Sequence, residues 1–331
     1  MLIRETNTVD KLADSINGIM TPDTENFSVA ILLCSYNGER FLAQQIASIQ
    51  RQTHKNWTLY ISDDGSTDRT LEKVRELQAA FPEGKIKRFD GPRQGFANNF
   101  ISLLTRTEIQ ADFYAFCDQD DVWHDDKLQR SLDSLVSTPA GATALYCSRT
   151  RLINDDGAFI GHSPLFTRPL GFSNALVQSI AGANTMVINH HTRTLLNINY
   201  GSLPIVAHDW LIYMIVTGSE GFIHYDATPT LDYRQHANNV IGDQSGLRLK
   251  LGRLKNAFSG RFKTWCDQNI NVLSRLRHTL SINNQKKLDD FSKARSSRLV
   301  VRVKLMRRAR IYRQTLTGNI GLFFAVLFNK L

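Results

Sequence analysis

The first sustained apolar run begins after Ser28. Val29-Ala30-Ile31-Leu32-Leu33-Cys34 is short and partly β-branched, the pattern of a strand buried on both faces. Ser35-Tyr36-Asn37-Gly38 carries turn chemistry. Between residues 40 and 51 the apolar positions 41, 42, 46 and 49 fit one face of a helix. The pattern then repeats. Residues 57–62 predict a second strand and Asp63-Asp64-Gly65-Ser66 its turn. Residues 69–80 predict a helix, with Ser66 or Thr67 as its cap and Asp68 beside its positive end. Strands are expected at 85–89 and 112–117, and helices at 98–105 and 125–136. Such alternation predicts an open α/β sheet, mainly parallel, with its ligand beyond the carboxyl ends of the strands.

Farther along, 144–147 and 221–225 predict short strands, and Asn154-Asp155-Asp156-Gly157 a turn. Residues 161–180 show no readable period, whereas 181–188 combine small residues with a strand. His208-Asp209-Trp210 opens an apolar helix over 211–216, and 233–239 form a polar segment. The organisation predicted is an extension at 1–27 with one helix near 9–19, an α/β unit at 28–246, and a helical region at 247–331.

Charge sharpens that last boundary. The net charge of +9 arises from 40 basic and 31 acidic side chains in 331 residues. From Arg248 onward there are 20 basic and 3 acidic residues, leaving 20 and 28 for the first 247. The basic part is interleaved with Leu, Phe and Trp, which suits an interfacial helix pair on anionic lipid. The alternatives are nucleic-acid binding, which no recognised motif supports, and a solvated basic face packed by its apolar side. The longest apolar run, 320–328, is well short of the ~18 residues a bilayer span requires. Residues 1–20 lack the pattern of a signal peptide. Cys34, Cys117, Cys147 and Cys266 form no Cys-x-x-Cys pair, so reduced core thiols in a cytosolic protein are expected.

The chemistry concentrates at Asp118-Gln119-Asp120-Asp121, where an apolar strand stops. Carboxylates packed there are costly unless a positive charge joins them. Mg²⁺ or Mn²⁺ fits, because these ions take hard oxygen ligands and bind through one or two carboxylates plus substrate phosphates. The structural alternative is capping of the helix after Asp125. A sugar-phosphate nucleotidyltransferase would carry a Gly-rich, basic loop after the first strand, and Ser35-Tyr36-Asn37-Gly38-Glu39 is a poor triphosphate cradle.

Cys34-Ser35-Tyr36-Asn37-Gly38, Ser62-Asp63-Asp64-Gly65-Ser66-Thr67-Asp68 and Asp118-Gln119-Asp120-Asp121-Val122-Trp123 together resemble a family 2 glycosyltransferase of the GT-A fold. His208-Asp209-Trp210 and Tyr233-Arg234-Gln235-His236-Ala237-Asn238-Asn239-Val240 resemble the bacterial rhamnosyltransferases of O-antigen and related surface polysaccharides. The resemblance covers roughly residues 28–245. It implies a Rossmann-like, mainly parallel sheet flanked by helices, ahead of the basic α-helical C-terminal region. The implied reaction is one inverting displacement, with a nucleotide-sugar donor and a lipid-linked oligosaccharide acceptor at the inner face of the cytoplasmic membrane. The donor implied is dTDP-rhamnose, with UDP-hexose as the alternative. A catalytically inactive glycan- or membrane-binding module is the rival class.

The same resemblance implies the site. Asp209 is the general base, or else caps its helix. Ser35, Tyr36, Asn37, Asp63, Asp64, Asp118 and Arg234 form the nucleotide-sugar site. Asp63 would accept a hydrogen bond from a nucleobase N3–H or a ribose hydroxyl, with Asp64 in the same pocket or closing the loop. Tyr36 stacks on the base or packs, and Asn37 shapes the loop. Asp118 contacts ribose or metal-bound water, and Arg234 the diphosphate oxygens through its fork, with His236 on the metal or on phosphate. Asp120 and His236 would hold Mg²⁺ or Mn²⁺, whereas Asp121 either ligates or bonds to backbone. Gly182, Thr185, His208 and Trp210 fall on the acceptor side. The family's processive members carry Gln-x-x-Arg-Trp; its absence here implies addition of one or a few sugars.

Overall fold

The computed structural model describes residues 24–198, 204–235 and 260–331. The repeated strand–helix pattern is present: β1 (Val29–Ser35), α1 (Leu42–Gln50), β2 (Trp57–Asp63), α2 (Thr70–Ala80), β3 (Ile86–Asp90), α3 (Phe96–Leu104) and β4 (Phe113–Cys117). Next come β5 (Val122–Trp123), α4 (Lys127–Leu135), β6 (Ala144–Ser148), β7 (Arg151–Ile153), β8 (Phe159–His162) and the short α5 (Phe172–Ala175). The chain continues through β9 (Val187–Asn189), α6 (His190–Leu196), α7 (His208–Gly218), β10 (Phe222–Asp226) and β11 (Leu231–Arg234). Among the described residues four helices follow: α8 (Arg261–Arg275), α9 (Ile282–Ser296), α10 (Leu299–Arg308) and α11 (Leu316–Leu327).

The central sheet has seven strands in the order β10-β6-β9-β4-β1-β2-β3. Only β9 runs against the rest, pairing antiparallel with both β4 and β6. Every residue of β1 and β4 is buried, as expected of strands covered on both faces. Alternation along β1 sorts the layers. Val29, Ile31 and Leu33 pack with α1 and α4, whereas Ala30, Leu32 and Cys34 pack with α3 and α7. Register fixes the functional edge. Ser35 lies opposite Asp63, and Leu33 opposite Cys117, so the polar residues that follow leave the sheet at one level.

Several expectations change. Neither Ser66 nor Thr67 caps α2; Ser66 turns to Asp63 and Thr67 to Asn37. The strand expected over 181–188 is a 3₁₀ turn at Ala183–Thr185 followed by β9. A second sheet, ordered β5-β11-β7-β8, was not predicted. The expected helix near 9–19 and the boundary at 246/247 lie outside the described residues. The C-terminal helices do not form a separate core. Cys266, Val272, Leu273, Leu288 and Phe291 join the cluster that contains Leu211 and Ile212 of α7. This is the packed-side alternative for the basic region, realised through α8 and α9. All four cysteines are buried free thiols, as expected.

Candidate active site

A crevice of about 1340 Å³ opens beyond the carboxyl ends of β1 and β4. Its first wall is the loop after β1. Asn37 takes a left-handed conformation, φ 50°, which asparagine tolerates better than most residues. Its amide oxygen accepts from Thr67 N at 2.8 Å, and its N–H donates to Ser66 Oγ at 2.9 Å. Gln119 ties this loop to the acidic one: Tyr36 N donates to Gln119 Oε1 at 2.9 Å, and Gln119 Nε2 donates to Tyr36 O at 3.1 Å. The approach is close enough that a Cβ on Gly38 would lie 2.2 Å from Gln119 Oε1. The Tyr36 ring is left 58% exposed beside the crevice, available for stacking.

Asp63 is drawn into its own turn. It is 4% exposed, and both carboxylate oxygens are engaged by the loop itself. Oδ1 accepts from Gly65 N and Ser66 N, and Oδ2 from Ser35 Oγ and Ser66 Oγ. A carboxylate with four donors on it organises the loop that forms this wall. Asp64 lines the crevice but accepts from Arg93 N and Gly95 N, closing the turn before α3.

Asp118, Asp120 and Asp209 line the same crevice, although they come from distant parts of the chain. Burial, followed by the charges of Asp120 and Asp209, pushes the Asp118 carboxyl up to about 7. Burial lifts Asp209 to about 6, against the opposing pull of Trp210 N–H and the Ser179 hydroxyl. Asp209 Oδ2 accepts from Ser179 Oγ at 3.2 Å, and Oδ1 from Trp210 N at 2.7 Å. It sits in the first turn of α7, where Ala207 is the N-cap. Ser179 gave no signal in the sequence, because it lies in the stretch without a period. Gln119 was hidden between the aspartates.

Other expected contacts point elsewhere. Asp121 is fully buried, accepting from Asn184 Nδ2 at 2.6 Å and Arg234 N at 3.2 Å, so it belongs to the turn. Arg234 does not reach the crevice. Its guanidinium donates to the carbonyls of Asp120, Asn154 and Asp155 and to Gln44 Oε1, over the Phe41 ring at 4.4 Å. Trp210 points into the core, with Nε1 on Ala175 O and its ring edge-on to Trp265. Thr185 is buried and donates to Gly182 O, whereas Gly182 itself lines the crevice. His208 reaches the crevice wall, stacked on Phe100 at 4.1 Å. Burial lowers it to about 3, so it is a neutral ring and makes no bond to Asp209. His236 lies outside the described residues.

The donor set suits a hard divalent cation. Among the described residues no three His, Cys, Asp or Glu side chains form a ready-made cage. What fits is an ion shared between the carboxylates of the 118–120 loop and phosphate oxygens of a substrate, as Mg²⁺ commonly binds. Burial first, and then the neighbouring carboxylates, raise Asp118, and a cation would relieve both.

Comparison with known proteins agrees with this architecture. The profile of glycosyl transferase family 2 matches residues 30–194. A dTDP-rhamnosyl transferase of Shigella flexneri, RfbG, is 28% identical over 238 residues, 67% of this chain and 78% of the relative. WfgD of Escherichia coli, a UDP-Glc:alpha-D-GlcNAc-diphosphoundecaprenol beta-1,3-glucosyltransferase, is 28% identical over 52% of this chain and 63% of its own length. The solved structure of S. aureus TarS 1-349 with UDP-GlcNAc overlays with a TM-score of 0.50 at 15% identity, covering 86% of this chain and 89% of TarS 1-349. That overlay shows the GT-A arrangement of the sheet. Through its domain at residues 30–194, the chain belongs to glycosyl transferase family 2.

Proposed function

We propose that the protein transfers L-rhamnose from dTDP-rhamnose to a lipid-linked glycan during synthesis of a surface polysaccharide, on the cytoplasmic side of the membrane. The observation that carries the reaction is the placement of Asp209 in one crevice with Asp118 and Asp120, with its carboxyl raised to about 6. As the acceptor oxygen attacks the anomeric carbon, ionised Asp209 takes the hydroxyl proton. The bond from that carbon to the diphosphate oxygen breaks, and the nucleoside diphosphate leaves with the electron pair. One displacement inverts the anomeric centre. Ser179 and Trp210 N–H orient Asp209 for the transfer. Asp118 and Asp120 would hold Mg²⁺ or Mn²⁺, which when bound neutralises charge on the departing diphosphate. The rhamnosyl donor is supported by the likeness to RfbG, and the lipid diphosphate acceptor by the likeness to WfgD.

A donor panel tests this. With Mn²⁺ and a lipid-linked acceptor, dTDP should be released from dTDP-rhamnose and the product should gain one deoxyhexose by mass. EDTA should abolish release, and Mn²⁺ should restore it. Turnover with UDP-glucose but not dTDP-rhamnose would replace the sugar assignment. Indifference to every donor would overturn the transferase reading.

A further inference from the structure

The last two helices carry a surface that the catalytic reading does not use. Residues 316–327 of α11, together with Phe328, contain no charged side chain. Only Leu322 and Val326 are buried. The opposite stripe, Leu316, Ile320, Phe323, Phe324, Leu327 and Phe328, is between 38% and 71% exposed. Those positions follow i, i+4, i+7, i+8, i+11 and i+12, so they share one helical face. Leu299, Val300 and Val301 at the start of α10, which packs beside α11, are exposed as well. The face is held in place rather than frayed. Buried Arg302 donates to Val326 O, and buried Arg295 to Leu331 O, so two guanidinium groups hold the C-terminal carbonyls.

The charge around this face selects its occupant. The three acidic residues among 260–331, Asp267, Asp289 and Asp290, are each paired with an arginine: Arg295, Arg277 and Arg308. Arg298, Lys304, Arg307 and Arg310 are exposed on or just beyond α10 and enter no ion pair among the described residues. A second copy docked on this stripe would bring the same basic rim against itself. An anionic lipid surface would accept both the apolar stripe and the cations. Among the described residues no helix is long and apolar enough to span the membrane, and α11 has only 12 residues. We propose that the α10–α11 face lies in the headgroup region of an anionic bilayer, with the phenylalanines inserted and the arginines and Lys304 on the lipid phosphates. This rests on the surface alone and stands whichever sugar the crevice takes.

Flotation of the full chain with vesicles tests it. Binding is expected to mixed phosphatidylcholine–phosphatidylglycerol vesicles and to fall with salt, with little binding to phosphatidylcholine alone. Phe323→Ser with Phe328→Ser should weaken partitioning at least about tenfold, because two exposed aromatic side chains lose their insertion. Lys304→Glu with Arg307→Glu should weaken it at physiological salt but not at high salt. Both pairs should leave sugar-nucleotide turnover on a soluble acceptor unchanged, which separates this surface from the catalytic proposal. Vesicle binding unaffected by the Phe pair would overturn it. So would a concentration-dependent dimer that the Phe pair dissolves, because the face would then belong to a second copy.

Discussion

Asp209→Asn is expected to reduce kcat by about 10²–10⁴-fold, the usual contribution of a positioned general base. Asparagine retains an oxygen to accept from Trp210 N–H, so the start of α7 should be preserved. In the wild type, kcat/KM should rise about tenfold per pH unit below about 6 and flatten above it, because only the ionised carboxylate accepts a proton. Stability has the opposite sign. A folded-state carboxyl raised from 3.8 to about 6 means that the native protein holds more protons than the unfolded chain across that window. Asp209 therefore costs the metal-free protein stability as pH climbs from about 4 through 6. Asp209→Asn removes that cost and should melt at or above the wild-type temperature at pH 8. An inactive variant that also melted far lower would reduce Asp209 to a structural residue.

Arg234→Ala is expected to cost about 3–4 kcal/mol, through a large cavity and several carbonyls left without donors. The side chain is 2% exposed and bridges three segments: the acidic loop at Asp120, the turn at Asn154 and Asp155, and α1 at Gln44. Arg234→Lys keeps the charge but not the fork, so it should recover only part of the loss. Calorimetry with and without a nucleoside diphosphate distinguishes this role from the phosphate contact expected from sequence. A wild-type melting curve combined with a raised KM for donor would restore the phosphate role.

The miss at Arg234 shows where sequence reading stopped. Its fork suits phosphate, and nothing local reveals that the backbone carbonyls of Asp120, Asn154 and Asp155 claim it first. Asp63 is held by Gly65 and Ser66 of its own turn, and only the Ser35 hydroxyl reaches it through the register of β1 and β2. What was legible was the repeated apolar run closed by a polar turn, since β1, β2 and β4 are covered on both faces and announce it in composition. The second sheet was not legible. Val122–Trp123 and Arg151–Ile153 are too short and mixed to carry a period, and tertiary pairing alone makes them strands. Asp118, Asp120 and Asp209 were recognisable by motif and do line one crevice. Ser179, which orients one of them, has no signature.

The shared core has a practical consequence. Gln314 N donates to Gln178 Oε1, Tyr312 O accepts from Asn174 Nδ2, and Ser179 next to that anchor touches the proposed base. Cutting the chain after its Rossmann-like half would strip apolar cover from α7 and untether the strand of backbone that aims the proton acceptor. A fragment lacking the basic helices is therefore expected to fold less stably than the full chain, because the two parts share one core.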